Sequence, residues 1–376
     1  MAKRSAGEGS LFQRADGRWC GQINLGWQGG RRVRKYFYGS SAEQARDALL
    51  KARADHAAGF PIAIERQTVG QFLERWLETV KASIRPRTFQ SYEILVRRHI
   101  TPELGSLRLD KLSAQHVQTL LSRESASGLS SQTVRHVRAI LRIALNQAIK
   151  WGLVARNAAS LAVPPKLERK RFRSLSPEEA RQLLDAARGD RLEAVYTVAL
   201  SLGLRLGEIL GLRWQDVDLD GGTLTVNQAI YRMRGGLVTS EPKTERSRRC
   251  LFLPDGVRAA LKAHRLRQLQ ERLIAGSRWQ DTSLVFTSTI GTPLDPRNLF
   301  RAFKALLRRA GLPGCRFHDL RHSAASLLLA QGVPMRAVME LLGHSSMSTT
   351  ADIYSHVMPA MMRDVADKMD AILGSR

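Results

Sequence analysis

Apolar residues recur with helical spacing through the middle of the chain, residues 67–165. One stripe begins after Thr68, a residue type that caps helices, and the longest stripe runs from Val134 to Ala148. Two consecutive prolines follow the last stripe, where a helix is expected to end. This pattern predicts an all-α domain of four or five helices.

The N-terminal residues show a different pattern, with short runs separated by turn residues. Turn pairs at 16–17 and 29–30 divide residues 10–38 into three runs, which is typical of strands joined by hairpins. A segment with capping serines and helical spacing follows these runs. Residues 1–60 are therefore predicted to form a small domain of three strands and one helix.

The residues after the helical domain show a break and then a restart of order. Residues 166–174 are basic and lack an apolar period, so they are predicted to be a linker. Helical order resumes at Ser176, and Glu179 three residues later completes a capping-box pattern. Residues 175–356 combine helical patterns with one strand-rich patch. The chain is thus predicted to be multidomain, and its last domain is predicted to be mixed α+β and mainly helical.

The net charge of the chain indicates a polyanionic partner. The formal net charge is +25, with 59 basic and 34 acidic side chains. The excess is +6 in residues 1–66, +10 in residues 67–170 and +9 in residues 171–376. Because basic surfaces attract phosphates and release their counterions, the partner expected is nucleic acid. The even spread indicates that every domain contacts it.

Other classes of protein are disfavoured by what the chain lacks in sequence. Its three cysteines form no C-x-x-C pair, so neither a disulfide framework nor a zinc site is expected, and a reducing cytoplasm fits. We find no P-loop and no G-x-G-x-x-G after a predicted strand. No apolar run approaches the roughly 18 residues of a membrane span. We therefore expect a cytoplasmic, nucleoid-associated protein that uses neither metal nor ATP.

One tyrosine near the C-terminal end has an unusual environment. Tyr354 lies ten residues after His344, in a run of Ser and Thr, and His356 follows it. A tyrosine in a core needs apolar neighbours, and this one has small polar neighbours. The segment is either an ordinary surface loop or a loop that presents a phenol.

Four separated stretches of the last domain carry the residue types that phosphate chemistry needs. These residues are Arg205, Glu208, Lys243, His318, Arg321, His344 and Tyr354. Taken singly, each has an ordinary interpretation as a surface cation, an ion-pair partner or a capping residue. Together they resemble the tyrosine recombinases, the phage-integrase family, whose pattern is Gly-Leu-Arg-x-x-Glu, a hairpin Lys, His-x-Leu-Arg-His, Leu-Gly-His and a nucleophilic Tyr. The helical middle and residues 10–60 resemble the core-binding and arm-binding domains of that family more weakly.

The two arginines of this set have the properties needed to bind a phosphodiester. Guanidinium groups stay charged and match phosphate oxygens with a planar fork, so Arg205 and Arg321 would neutralise the non-bridging oxygens in the transition state. Glu208, three residues after Arg205, is expected to support the site by pairing with a cation.

The remaining roles are implied by the resemblance. Tyr354 would attack phosphorus and form a 3′-phosphotyrosyl link, with His318 as the base. Lys243 would protonate the departing 5′ oxygen, and His344 would hydrogen-bond the phosphate. The chain would then be a site-specific recombinase, an integrase of a phage or other mobile element.

Two other functions remain open at this point. A type IB topoisomerase-like enzyme uses similar residues to relax DNA, although the separate helical domain and the Leu-Gly-His spacing favour a recombinase. A DNA-binding accessory protein without catalysis is the second alternative, and the complete residue set argues against it.

Basic segments outside the catalytic set are candidate DNA contacts. They lie in the strand at 31–38, in the linker, and on a helix at 296–312 whose cations are expected to face away from Phe300, Phe303 and Leu307. The candidates are Arg32, Arg34, Lys35, Arg169, Lys170, Arg171, Arg173, Arg297, Arg301, Lys304 and Arg308.

The C-terminal residues 357–376 show the spacing of an amphipathic helix rich in Met. The resemblance implies that this helix docks in trans on a neighbouring subunit of a homo-tetramer on DNA, and docking in cis is the alternative. Double-stranded attachment sites are the expected substrate, with a host bending factor or an excision factor as further partners.

Overall fold

The chain in this computed structural model divides into two compact units, Met1–Arg169 and Lys170–Arg376. The structure describes residues 9–28, 31–57, 67–167, 173–241, 248–343, 370 and 373–374. The predicted linker contains the boundary between the units, and its residues 168–172 lie outside the described ranges. Within those ranges, no helix is both long and apolar enough to cross a membrane.

An antiparallel sheet and one helix form from residues 10–57, as the turn signals predict. The elements are β1 (Ser10–Gln13), β2 (Trp19–Gln28), β3 (Arg31–Gly39) and α1 (Ala42–Ala57), with strand order β1-β2-β3. Helix α1 lies close against β2 at Gly21, where an added Cβ would be 3.0 Å from the carbonyl oxygen of Ala45. Ile23 and Leu49 are buried between these elements.

The strand β3 places neighbouring basic residues on opposite faces. In register, Lys35 pairs with Ile23, whose buried side chain faces α1, whereas Arg34 pairs with Asn24 on the other face. The two candidate DNA contacts Arg34 and Lys35 therefore lie on opposite faces of the sheet. The side chain of Arg34 is exposed on the open face of the sheet.

The rest of the first unit is helical, as its apolar stripes predict. Its helices are α2 (Val69–Lys81), α3 (Pro86–Leu95), α4 (Thr101–Leu104), α5 (Ala114–Ala126), α6 (Ser131–Lys150) and α7 (Ala158–Leu161). Thr68 and Gln71 form the capping box that starts α2. All seven apolar positions of the long stripe are buried in α6. These side chains pack with Phe72 and Trp76 of α2 into one core.

Helices α3 and α4 are joined without a break through a π-helical turn, Val96–Ile100. Thr101 N–H donates to the carbonyl of Val96, five residues earlier. The wider turn accommodates Pro102, which has no N–H to donate and clashes with a regular turn. Pro102 therefore lies inside the last helical turn, which ends at Leu104.

The second unit is mainly helical with two small sheets. Its helices are α8 (Pro177–Ala187), α9 (Glu193–Leu202), α10 (Leu206–Leu210), α11 (Asp255–Ala275), α12 (Pro296–Arg309), α13 (Asp319–Ala330) and α14 (Met335–Leu342). Its strands are β4 (Val217–Asp218), β5 (Thr223–Thr225), β6 (Ala229–Met233), β7 (Gly236–Ser240) and β8 (Cys250–Phe252). Ser176 caps α8 through a capping box with Glu179, as predicted. The strand-rich patch is two antiparallel sheets, β4-β5-β8 and the hairpin β6-β7.

Candidate active site

Four elements of the second unit bring the described site residues together. Arg205 precedes α10, Arg249 precedes β8, and His318 and Arg321 lie at the start of α13. The fourth element is α14, whose C-terminal end meets the guanidinium groups of these arginines. The site is therefore built from segments spread over more than a hundred residues of the sequence.

Glu208 lies at the centre of this arrangement and is buried. Its carboxylate accepts the Arg205 backbone N–H at 3.0 Å and Arg205 Nη1 at 2.7 Å. It also accepts Arg249 Nη2 at 3.0 Å. Burial by itself raises the pKa of Glu208, but Arg249 and Arg205 outweigh burial, and the net pKa is lowered. Glu208 is thus an anion that holds two cations in place.

The end of α14 is held by three arginines, each through a different carbonyl. Arg249 Nε donates to Leu341 O at 2.7 Å. Arg321 Nη2 donates to Leu342 O at 2.6 Å, and Arg205 Nη2 donates to Gly343 O at 2.8 Å. The last carbonyls of a helix lack partners within it and carry partial negative charge, so cations are favourable there. His344 is the next residue in sequence.

Arg321 is the most deeply placed cation of the site, with 3% of its surface exposed. Its Nη1 also donates to Gly203 O at 2.6 Å. Gly203 ends α9 with φ 58°, and an added Cβ would lie 2.4 Å from Leu342 Cδ2. Glycine is therefore needed at this position for both conformation and space. Burial, together with Arg205 and Arg249, lowers the pKa of Arg321 to about 9, so it remains charged at neutral pH.

His318 precedes α13 and is exposed, while His322 one turn later is buried. Their rings are 5.0 Å apart in an edge-on arrangement. Although part of the His318 side chain is exposed, desolvation of its ring and the charge of Arg321 lower its pKa below the usual value. Burial and His318 lower the pKa of His322 to about 4. Both rings are therefore neutral near pH 7, which leaves His318 able to accept a proton.

The structure brings together four of the seven predicted site residues. Arg205, Glu208 and Arg321 share the end of α14, and His318 is within electrostatic reach of Arg205 and Arg321. The other three predicted residues, Lys243, His344 and Tyr354, lie outside the described residues.

Arg249 was not singled out in the sequence analysis, although its position gave a signal. It lies two residues before Leu251 and four before Leu253, both buried. Period-two alternation along an extended segment therefore places Arg249 on the buried face. A cation on that face requires a buried acid, and Glu208 is that acid.

The predicted DNA contacts have mixed environments. On α12 the cations Arg297, Arg301, Lys304 and Arg308 are all exposed. Phe300 was expected on the opposite, buried face, but it is 43% exposed beside them, and Leu299 is buried instead. The reason is geometric, because residues 300 and 301 are only about 100° apart around a helix.

Arg173, near the C-terminal end of the predicted linker, donates to Glu179 at 2.5 Å. Its charge is therefore partly satisfied within the protein. The remaining linker candidates, Arg169, Lys170 and Arg171, lie outside the described residues, as does the Arg32 side chain.

Comparison with known proteins places this fold and site in one class. Residues 173–361 match the phage integrase family, and residues 68–124 match the phage integrase N-terminal SAM-like domain. A tyrosine recombinase XerC-like protein of Caldanaerobacter subterraneus subsp. tengcongensis is 32% identical over 363 residues, which cover 91% of this chain and 93% of the relative. An integrase of Streptomyces ambofaciens is 34% identical over 386 residues, which cover 99% of this chain and 98% of the relative.

Solved structures agree at the level of the fold. The Tn1549 transposon integrase in complex with transposon right end DNA matches with TM-score 0.69 and 21% identity, over 80% of this chain and all of that chain. A lambda integrase tetramer bound to a Holliday junction matches with TM-score 0.59 and 19% identity, over 94% of this chain and 96% of that chain. The fold is that of DNA integrases. The chain belongs to the phage integrase family, the tyrosine recombinases, and is a site-specific DNA recombinase.

Proposed function

We propose that this recombinase integrates or excises the DNA of a phage or another mobile element through a 3′-phosphotyrosyl intermediate formed by Tyr354. The observation that carries the proposal is the convergence of Arg205 and Arg321 on the end of α14, one residue before His344 and eleven before Tyr354. The arginines form a cationic site at the point in the sequence where the predicted nucleophile segment begins.

The two arginines supply the charge that phosphoryl transfer needs. A guanidinium has five N–H donors, and bonds to described residues use two of them on Arg205 and two on Arg321. We propose that the remaining donors bind non-bridging phosphate oxygens. Because Arg205 is already held by Glu208 and Gly343 O, and Arg321 by two carbonyls, little reorganisation is needed when charge develops on the phosphorane.

The proton movements follow from the pKa values and the predicted roles. An unperturbed tyrosine phenol has a pKa near 10, so Tyr354 is proposed to require a base as its oxygen bonds to phosphorus. Neutral His318 accepts that proton. As the P–O5′ bond breaks, Lys243 gives a proton to the departing 5′ oxygen, and His344 hydrogen-bonds the phosphate. Attack by a second 5′-hydroxyl reverses these steps and reseals a strand.

We propose that the reaction requires neither ATP nor a metal ion. The phosphotyrosyl link conserves the energy of the broken phosphodiester, so resealing needs no further energy source. The two guanidiniums carry out the charge neutralisation for which other phosphoryl-transfer sites use a cation.

The domains are proposed to divide the recognition of attachment-site DNA. Residues 67–165 would clamp the core site together with residues 175–356, while residues 1–60 would bind more distant arm sites. Residues 357–376 would dock on the next subunit of a tetramer, consistent with the tetrameric assembly named for lambda integrase. A host bending factor or an excision factor would set direction, and the site of action would be the nucleoid in the cytoplasm.

The Tyr354→Phe variant tests the proposal. Phe preserves shape and removes only the nucleophilic oxygen, so the variant is expected to bind an attachment site normally and to form no covalent adduct. A nicked suicide substrate analysed on a denaturing gel measures the adduct directly. An adduct of undiminished yield from the variant would show that another residue attacks.

A further inference from the structure

Arg249 makes several contacts within the site, and none of the roles assigned above accounts for them. Its side chain is 8% exposed and all three of its nitrogens are engaged. Nε donates to Leu341 O at 2.7 Å, Nη2 to Glu208 Oε2 at 3.0 Å, and Nη1 lies 3.4 Å from Glu208 Oε1. With its fork turned inward on a carboxylate and a carbonyl, Arg249 is not placed to bind DNA.

The partners of Arg249 are the same groups that hold Arg205. The carboxylate of Glu208 lies between the two guanidiniums and bonds to both. A shift of Glu208 would therefore change the direction of the Arg205 fork. Catalytic groups must be held within about 0.5 Å of their productive position, so such a shift is expected to slow the reaction.

Arg249 also supports the backbone that receives Arg205. A Cβ added to Gly343 would lie 2.9 Å from Arg249 Nη1 and 3.2 Å from its Cζ, so the glycine backbone rests on the guanidinium. Gly343 has φ 65°, a left-handed conformation that glycine adopts without strain. Its carbonyl accepts Arg205 Nη2. Arg249 thus determines the positions of both acceptors of the Arg205 side chain.

We propose that Arg249 is a positioning residue that orients Arg205 toward the scissile phosphate through Glu208 and Gly343. The inference rests on the proposed function, because it assigns Arg205 to the phosphate. It extends that function by linking Arg205 to the two segments that carry the other predicted catalytic residues. The segment that carries Lys243 leads into Arg249, and the segment that carries His344 and Tyr354 leaves from Gly343.

A matched arginine distinguishes positioning from simple stabilisation. Arg191 has the same kinds of partner, a carboxylate and a carbonyl, with Nε and Nη2 on the two oxygens of Glu271 and Nη2 also on Thr287 O. It lies in the same unit, and no partner that the structure describes for it is shared with Arg205. Arg249→Lys and Arg191→Lys each remove a planar fork and keep the charge.

The test measures single-turnover cleavage of a nicked suicide half-site at saturating enzyme, so that only bound, folded protein contributes. Arg249→Lys is expected to cleave about 10- to 100-fold more slowly than wild type, the usual cost of removing a group that orients a catalytic residue. Half-site affinity is expected to stay within about twofold, since the Arg249 fork is buried against Glu208 and Leu341 O. Arg191→Lys is expected to cleave at the wild-type rate.

A substrate with a methylphosphonate at the scissile position distinguishes loss of Arg205 positioning from a general loss of activity. This phosphorus centre lacks the charge that Arg205 neutralises, so a defect that acts through Arg205 should shrink to within about threefold on it. Arg249→Met, which keeps the apolar stem, should show the same pattern. Wild-type rates for both variants, or an equal defect on both substrates, would overturn the proposal. Failure of wild type to form an adduct would instead contradict the proposed function.

Discussion

The buried carboxylate of Glu208 offers a perturbation whose size follows from the structure. The change Glu208→Gln preserves shape and removes the charge between Arg205 and Arg249. Breaking a buried ion pair by removing one partner costs about 3–5 kcal/mol. Because Gln keeps one acceptor and the Arg205 side chain is 36% exposed, we expect the low end of that range, about 3 kcal/mol.

Thermal unfolding followed by calorimetry measures this loss. For a unit of about 200 residues each kcal/mol shifts Tm by about 2–4 °C, so Glu208→Gln should lower the transition of the second unit by about 6–12 °C at pH 7. The matched control is Glu340→Gln in the same unit, where the exposed partner is Arg336. That control is expected to leave Tm unchanged within error.

The pH dependence of the Tm difference tests the sign of the Glu208 contribution to stability. The pKa of Glu208 is lowered in the folded protein, so its stabilisation is fully present above the unfolded pKa of about 4.3 and is lost as pH falls through the folded value. The Tm difference between wild type and Glu208→Gln should therefore be constant near neutral pH and close in acid. A loss under about 1 kcal/mol, the value of an exposed pair, or a difference that persists in acid would refute the reasoning.

Three further predictions concern the DNA. Lys243→Ala should slow cleavage strongly on a normal substrate and be largely rescued by a 5′-phosphorothiolate, whose sulfur departs without a proton, whereas equal defects on both substrates would limit Lys243 to phosphate binding. Deletion of residues 1–60 should preserve the footprint on a core site and remove protection of distant sites, and identical footprints would contradict an arm-binding role. Replacing Lys304 and Arg308 by Ala should reduce the salt slope of binding by about one unit per cation, while Arg309→Ala, whose arginine already bonds Ala186 O, should leave it unchanged. An unchanged slope in the double variant would indicate a solvated basic face.

Local signals in the sequence predicted the elements well where one interaction dominates. The capping boxes at Thr68 and Ser176 form as expected because each needs only residues three positions apart. The apolar stripe of α6 is buried at every predicted position, since helical periodicity alone decides which face is inside.

The sequence was less informative where a neighbouring element decides the outcome. Lys35 alternates with Arg34 along a strand, so which of them faces α1 depends on register. Phe300 lies at the edge of the α12 stripe, and only the packing of α12 on its unit shows that Leu299 is the buried residue. Tertiary context also explains why Arg249 was missed. Its partners, Glu208 and Leu341, lie 41 and 92 residues away.

The central claim is that Tyr354 forms the covalent link to DNA, and mass spectrometry of the trapped adduct tests it most directly. Trypsin releases residues 337–363 as one peptide in which Tyr354 is the only tyrosine. After nuclease treatment, that peptide is expected to carry the residual nucleotide on the Tyr354 phenol, joined through a 3′ phosphate. A nucleotide on any other residue, or joined through a 5′ phosphate, would contradict the account.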